Sequence, residues 1–441
     1  MTVSVLGSTS KSYLFKISIP IFFSNLAIPL VGLVDTGLMG HLSSERYLAA
    51  ISIATSVITM IFWSFGFLRM GTVSLVSQSL GKRDYNEIIL IFIRNLIIAF
   101  AIGLLIIFLK YPILFLIEFF FQTTNETQLL INEYINVRIF SAPAELIIYV
   151  LAGLYLGLQK TNVSSLLISF FCLGNAILSV IFVVNYNLEI FGAALGTIVA
   201  AYISVLIFLF YSYFLFRNKL KKITLTKKII FNQDKLFRLF NINFDIFIRT
   251  IFLTFSFLWV TYQGSKLGED YLAINTILMQ FIMLASFFLD AYAFSTETLV
   301  GYSIGRGSEK SFRQIVNNSF QLSIFTAIVI SVLYFFLFNE IVEQLTNIDY
   351  LRFLSVNYML WIIIIPPIAS LCYQFDGIFI GAAQTSEMRN GMIISVAFFI
   401  LSSEVLIAIY GNHGLWLSFL LFMVMRSVTL NYYFKNILKQ F

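Results

Sequence analysis

Charge is what this sequence has least of. Lys, Arg, Asp and Glu together make up 11% of its 441 residues, whereas soluble proteins carry roughly a quarter. That shortage excludes an ordinary water-soluble domain. Cysteine occurs only at Cys172 and Cys372, both inside apolar runs, which excludes a disulfide framework and any cysteine-based metal cluster. With only His41 and His413 available, a histidine-built metal centre is excluded as well. There is no Walker A stretch, no Gly-x-Ser-x-Gly elbow and no dinucleotide fingerprint. The reading is therefore of a chain without a cofactor, without direct ATP coupling and without enzymatic chemistry. A small excess of cations, 28 Lys and Arg against 22 Asp and Glu, sits in short gaps between apolar runs. It forms no basic face, so nucleic acid is not an expected partner.

What the chain has in abundance is hydrocarbon: 59% of its residues are hydrophobic. Twelve apolar runs emerge, at 13–39, 47–80, 88–109, 128–159, 163–184, 191–216, 236–264, 270–304, 312–338, 350–383, 390–409 and 413–434. Each is long enough to cross a bilayer as a helix, which takes about 20 residues. The alternating segments of about 10 residues that a membrane β-barrel needs are absent. The expected fold is an all-α polytopic membrane protein with twelve transmembrane helices. Met1 to Ser12 is polar and the first run is too long for a signal-peptide core, so a cleaved leader is not expected.

Cations mark one side. Lys11, Lys16, Lys82, Arg83, Lys160, Arg306, Lys310, Arg313, Arg389, Lys435 and Lys439 fall at the termini and even-numbered connections, as do the basic residues between Arg217 and Lys228. Odd-numbered connections carry Glu45, Glu118, Glu126, Glu189, Glu269, Asp270, Glu340, Glu343 and Asp349. Since Lys and Arg are retained on the cytoplasmic side of short loops, both termini are expected there.

Shifting the chain by 224 residues aligns its halves without a gap. Gly40, Glu45, Tyr47, Leu48 and Ala49 meet Gly264, Glu269, Tyr271, Leu272 and Ala273, and Pro143, Gly153 and Gly157 meet Pro367, Gly377 and Gly381. The chain reads as a tandem duplication: an N-terminal lobe of six helices over 1–222 and a C-terminal lobe of six over 223–441. An even number of crossings starts both on the same face and relates the two pseudo-symmetric bundles by an axis along the membrane normal.

Charges within apolar runs cost about 2.5 to 3.5 kcal/mol each on insertion scales, so each needs a reason. Asp35, Arg249, Asp290, Glu297, Asp376 and Glu404 stand out. Asp35 follows Pro29, whose missing donor allows the helix to bend, making a carboxylate beside a hinge. The alternative is an acid near the end of run one that reaches headgroup water. Asp290 and Glu297 are two turns apart on nearly one helix face, about 10 Å. They read as a cation-attracting stripe, or alternatively as partners of Arg249. The Gly153/Gly157 and Gly377/Gly381 pairs read as close helix contacts, and Arg389 as an orientation anchor. Aromatic side chains are expected mostly toward lipid, some lining a cavity.

Three stretches carry a family resemblance: Pro29-Leu30-Val31-Gly32-Leu33-Val34-Asp35-Thr36, Asp290-Ala291-Tyr292-Ala293-Phe294-Ser295-Thr296-Glu297-Thr298-Leu299-Val300-Gly301, and Asp376-Gly377-Ile378-Phe379-Ile380-Gly381-Ala382 with Met388-Arg389-Asn390 beyond it. They resemble the multidrug and toxic compound extrusion (MATE) family, in its DinF-like branch. The resemblance implies a secondary antiporter that exports amphipathic, often cationic, small organic compounds while protons or sodium ions enter. It maps the cation-binding acid of the first helix onto Asp35, an asparagine of the fifth helix onto Asn175 and a nearby polar site onto Thr197. Asp290, Glu297 and Asp376 correspond to the acids of the C-terminal lobe. The family often places an aspartate one turn after that asparagine, where this chain has Ser179. The lost carboxylate weakens a multidentate sodium site near Asp35 and favours protons.

The expected function is therefore a cation-coupled exporter working by alternating access, as a monomer in a bacterial-type inner membrane. The alternative within transport is a flippase for lipid-linked or polysaccharide precursors, which would want a cationic cavity; the interior acids identified here outnumber Arg249.

Overall fold

In a computed structural model the chain is described over residues 8–40, 45–121, 123–221 and 226–441. Among the described residues there are helices and no strands. Twelve stretches are long and apolar enough to cross a membrane: Lys11–Gly40, Arg46–Gly81, Tyr85–Phe108, Asn125–Gly157, Thr161–Asn185, Glu189–Leu220, Lys227–Leu267, Glu269–Gly305, Glu309–Leu345, Met359–Gly381, Thr385–Tyr410 and Asn412–Leu438. They are called the first to twelfth spans here. Hydrocarbon offers no partners to backbone amides, so each apolar run must satisfy them internally, and the helix does so. The twelve expected runs are all present. Hydropathy does not reveal the breaks inside them. The second span is two helices, Glu45–Ser64 and Phe67–Gly81, and the expected run 350–383 divides into Asp349–Val356 and Met359–Gly381. Large rings such as Phe108, Phe119 and Phe336 lie on the outside, where lipid would meet them.

The duplication reappears in the turns. After the second span the amide of Asp84 reaches Ser79 O (2.9 Å) and that of Arg83 reaches Leu80 O (3.0 Å); after the eighth, Ser308 reaches Ser303 O (3.0 Å) and Gly307 reaches Ile304 O (3.0 Å). Arg83 and Gly307 both take the left-handed conformation, with φ of 59° and 68°. Asp84 then caps the next helix by accepting from the amide of Glu87, as Ser308 does from Ser311. Gln159 and Ala383, 224 residues apart, form another left-handed pair at 58° and 56°. This is the αL helix ending that satisfies the last carbonyls.

The expected glycine contacts recur too. A Cβ on Gly153 would lie 2.6 Å from Arg69 O and one on Gly377 2.4 Å from Ala293 O; on Gly381 it would lie 2.4 Å from Glu297 O. Arg69 and Ala293 are themselves one repeat apart, so the same backbone contact is made in each half by the fourth span on the second and by the tenth on the eighth.

Contacts gather the chain into two compact units. One is Phe23–Phe240; the other is Asn241–Phe441 together with the start of the first span, up to Phe22. Within the second unit Ser18 shares a hydrogen bond with Ser295 (2.8 Å), Asn318 Nδ2 donates to Thr9 O (2.7 Å), and the rings of Phe22 and Phe288 lie 4.1 Å apart. The lobe boundary expected at 222/223 lies outside the described residues, as do His41, Lys222 and the side chain of Glu45.

Candidate functional site

In the unit Phe23–Phe240, Asp35 stands on a helix that runs unbroken from Lys11 to Gly40 through Pro29. Its carboxyl is buried, at 4% exposure, and Asn175, Ser179 and Thr197 are buried in the same unit. Asn175 and Ser179 are one turn apart on the fifth span, which places both on one face. The fifth and sixth spans approach closely because residue 196 is glycine: a Cβ there would lie 2.7 Å from Ser179 N and 2.8 Å from its Oγ. Asn175 Nδ2 donates to Thr197 Oγ1 at 2.5 Å, and the Thr197 hydroxyl donates to Ala193 O at 3.2 Å. The Ser179 hydroxyl is close enough to act on the Asp35 carboxyl. Even so, Asp35 Oδ1, Asn175 Oδ1 and Ser179 Oγ complete no hydrogen bond among the described residues. Buried oxygens left in that state cost about 1 to 3 kcal/mol each. The arrangement is one buried carboxyl beside the Ser179 hydroxyl, with further unpartnered neutral oxygens buried in the same unit. It can take up a proton or a small cation.

Sequence reading missed a second charged cluster in this unit. Arg138 is buried and donates to Glu145 Oε1 at 2.5 Å and to the Ser141 hydroxyl, which itself donates to Glu145 at 2.7 Å. Its guanidinium lies 5.2 Å from the centre of the Phe62 ring, and its charge acts on Asp35. The i, i+3 and i+7 spacing of Arg138, Ser141 and Glu145 within the fourth run was the available signal.

In the other unit the expected acids fall in different settings. Glu297 is fully buried and Asp290 half-buried. Arg249 pairs not with the acids expected for it but with Asp376, whose Oδ2 also accepts from Arg426 at 2.6 Å. Arg426, 2% exposed, was overlooked because it lies in the last apolar run close to its basic end. One carboxylate between two guanidinium groups is a locked counter-ion, with Arg426 further packed on the rings of Phe422 and Tyr373. Arg389, read as an anchor, donates to Asp245 at 2.6 Å, and Thr385 donates to the same carboxylate at 3.0 Å. Glu404 accepts from Gln263 at 2.6 Å. Among the described residues no three His, Cys, Asp or Glu side chains converge as metal ligands.

The family model MatE matches residues 20–184 and 246–403. DNA damage-inducible protein F of Escherichia coli (strain K12) is 30% identical over 425 residues, 96% of this chain and 92% of that protein. Multidrug export protein MepA of Staphylococcus aureus (strain NCTC 8325 / PS 47) is 24% identical over 251 residues, 56% of this chain and 55% of that protein. Among solved structures, one of MATE in the straight conformation superimposes with a TM-score of 0.88 at 16% identity, covering 100% of this chain and 99% of that one. An outward-facing multidrug resistance MATE family transporter of the MOP superfamily gives 0.86 at 15% identity, covering 99% and 98%. At those identities the structural likeness speaks for the fold, while the family match spans both halves of the sequence. The chain belongs to the MatE family: it is a multi-pass membrane protein and a secondary transporter that exports compounds, not an enzyme.

Proposed function

We propose that the protein is an antiporter that admits protons while exporting amphipathic or cationic small organic compounds by alternating access, in a bacterial-type inner membrane with both termini cytoplasmic. The observation that carries this reading is Asp35: a buried carboxyl whose Oδ1 has no hydrogen-bond partner among the described residues, in a unit that also buries the unpartnered oxygens of Asn175 and Ser179. A sodium ion prefers several oxygen ligands with more than one formal charge, and Ser179 supplies no second carboxylate. The nearby Arg138 cation further disfavours a metal ion, whereas a single proton asks for one oxygen. Protonation removes the charge from the first span six residues beyond Pro29, where the helix lacks one backbone donor. The charged and neutral forms then favour different bends or packings of that span, which links ion entry to substrate release. Asn175 and Thr197 hold the oxygens around Asp35. In this scheme Glu297 and Asp290 form the acidic side of the other unit. Asp376, with Arg249 and Arg426, holds its helices in register.

The test is transport of a fluorescent cationic dye in proteoliposomes under independently imposed proton and sodium gradients. A proton gradient alone drives transport, and Asp35→Asn reduces it to background while still inserting in the membrane. Transport driven by sodium alone at constant pH would overturn the proton assignment. The buried Arg249 and Arg426 give the flippase reading its one point of support, and translocation of a lipid-linked pyrophosphate in the same vesicles, without dye transport, would establish that reading instead.

A further inference from the structure

At the ends of the second, third and seventh spans, inside the unit Phe23–Phe240, lies a cavity of about 100 Å³. That is several times the space one water needs. Six charged side chains line it: Lys82, Arg94, Lys235 and Arg238 against Asp84 and Glu87. The acids are already committed. Asp84 caps the third span through the amide of Glu87 at 3.0 Å, and Glu87 receives Arg94 at 3.2 Å and Lys235 at 3.4 Å. Arg94, only 3% exposed, uses its other nitrogens to hold the carbonyls of Ile229 and Ile230, each at 2.8 Å. It thereby clamps the segment that leads into the seventh span onto the third. Lys82 and Arg238 remain. Both are exposed, neither has an acidic partner among the described residues, and Arg238 finds only Gln78 Oε1, at 3.4 Å.

The lining changes character with depth. Leu75, Ile91 and Leu239 belong to the same cavity. Leu75 and Ile91 lie one to two turns further into the second and third spans than Lys82 and Glu87, and Leu239 lies just past Arg238. Cations at the span ends with apolar side chains inward of them match a phosphate group whose acyl chains continue into hydrocarbon. Basic pockets between spans at headgroup depth are a recurring form of lipid recognition. A free phosphate ion would use the cations and leave the apolar wall unused.

We propose that this cavity binds the phosphate headgroup of an anionic phospholipid, held by Lys82 and Arg238, next to the Arg94 clamp. The lipid closes the charge excess and ties the turn at residues 82–84 to the segment entering the seventh span. The site is independent of which ion couples transport and of which way the chain faces.

Native mass spectrometry of the full chain after delipidation, given equimolar phosphatidylglycerol and phosphatidylcholine of identical acyl chains, tests this directly. The wild type retains phosphatidylglycerol preferentially. The Lys82→Ala, Arg238→Ala double variant lowers that preference by about thirtyfold, the effect of two basic residues near a headgroup. Lys160→Ala with Lys435→Ala, an equal loss of charge elsewhere, leaves it unchanged. Equal retention of the two lipids by the wild type overturns the proposal without any variant. So does full displacement of phosphatidylglycerol by millimolar inorganic phosphate, which would make the site one for the free ion. Gel filtration and melting temperature confirm that each variant is folded.

Discussion

A buried carboxylate between two arginines and a buried carboxylate among neutral oxygens respond differently to the same substitution. Asp376→Asn strips the carboxylate that both Arg249 and Arg426 pair with, leaving guanidinium groups in the interior of their unit. Breaking such a pair by removing one partner costs about 3 to 5 kcal/mol, so the variant melts earlier in detergent and yields less protein. Asp35→Asn removes a charge whose Oδ1 has no hydrogen-bond donor to lose and leaves Arg138 paired with Glu145, so it lowers the melting temperature less than Asp376→Asn does and loses transport. Equal melting temperatures for Asp376→Asn and the wild type would remove Asp376 from its locking role. Ser179→Asp is the complementary change. It adds a second formal charge one turn from Asn175 and makes dye transport respond to a sodium gradient; an unaltered proton-only response would show that the missing carboxylate does not decide the ion. The acids of this scheme were legible in the sequence because each interrupts an apolar run. Their partners were not. Arg249 and Asp376 lie 127 positions apart and Asp376 and Arg426 lie 50 apart, and helical periodicity says nothing about which distant helix a side chain meets. Arg94 and Arg426 stand near the ends of apolar runs, where a cation ordinarily reports membrane orientation.

Helices were the easiest level to read, since twelve apolar runs leave the backbone one solution. Their internal breaks were hidden because the second span stays apolar through Phe65 and Gly66, and hydropathy records composition, not hydrogen bonding. Glycine spacing was more informative: the two Gly-xxx-Gly pairs found by self-comparison are points of close helix approach in both units. Gly381→Ala would place a methyl group 2.4 Å from Glu297 O, where a carbonyl held in a helix cannot retreat. Overpacking of this kind costs about 1 to 3 kcal/mol. It also pushes the tenth span, five residues from Asp376, away from the eighth. Gly37→Ala, with nothing within 4 Å of its added carbon, serves as the control. A drop in melting temperature for Gly381→Ala alone is expected, and equal values for the two would place the contact outside the forces that hold this unit together.

Across the whole molecule, the duplication and the distribution of cations make one joint demand. Six crossings per repeat put equivalent connections on the same side of the membrane, so the turns at Lys82 and at Arg306, one repeat apart, must face the same compartment. Both carry cations, while the connections near Glu269 and Asp349 carry acids, and the proposed orientation with the basic set in the cytoplasm follows from that asymmetry. Cys172 and Cys372 are buried, at 4% and 0% exposure, so a background lacking both gives a silent starting point for labelling. Single cysteines at the exposed positions Lys82, Lys310, Glu269 and Asp349 then report topology through a membrane-impermeant maleimide applied to intact cells. Cysteines at 269 and 349 label from outside, and those at 82 and 310 label only after the membrane is opened. Mixed behaviour within either pair would break the link between repeat and orientation. Labelling of 82 and 310 from outside would turn the whole transporter over, and with it the direction in which protons and substrate are assigned to move.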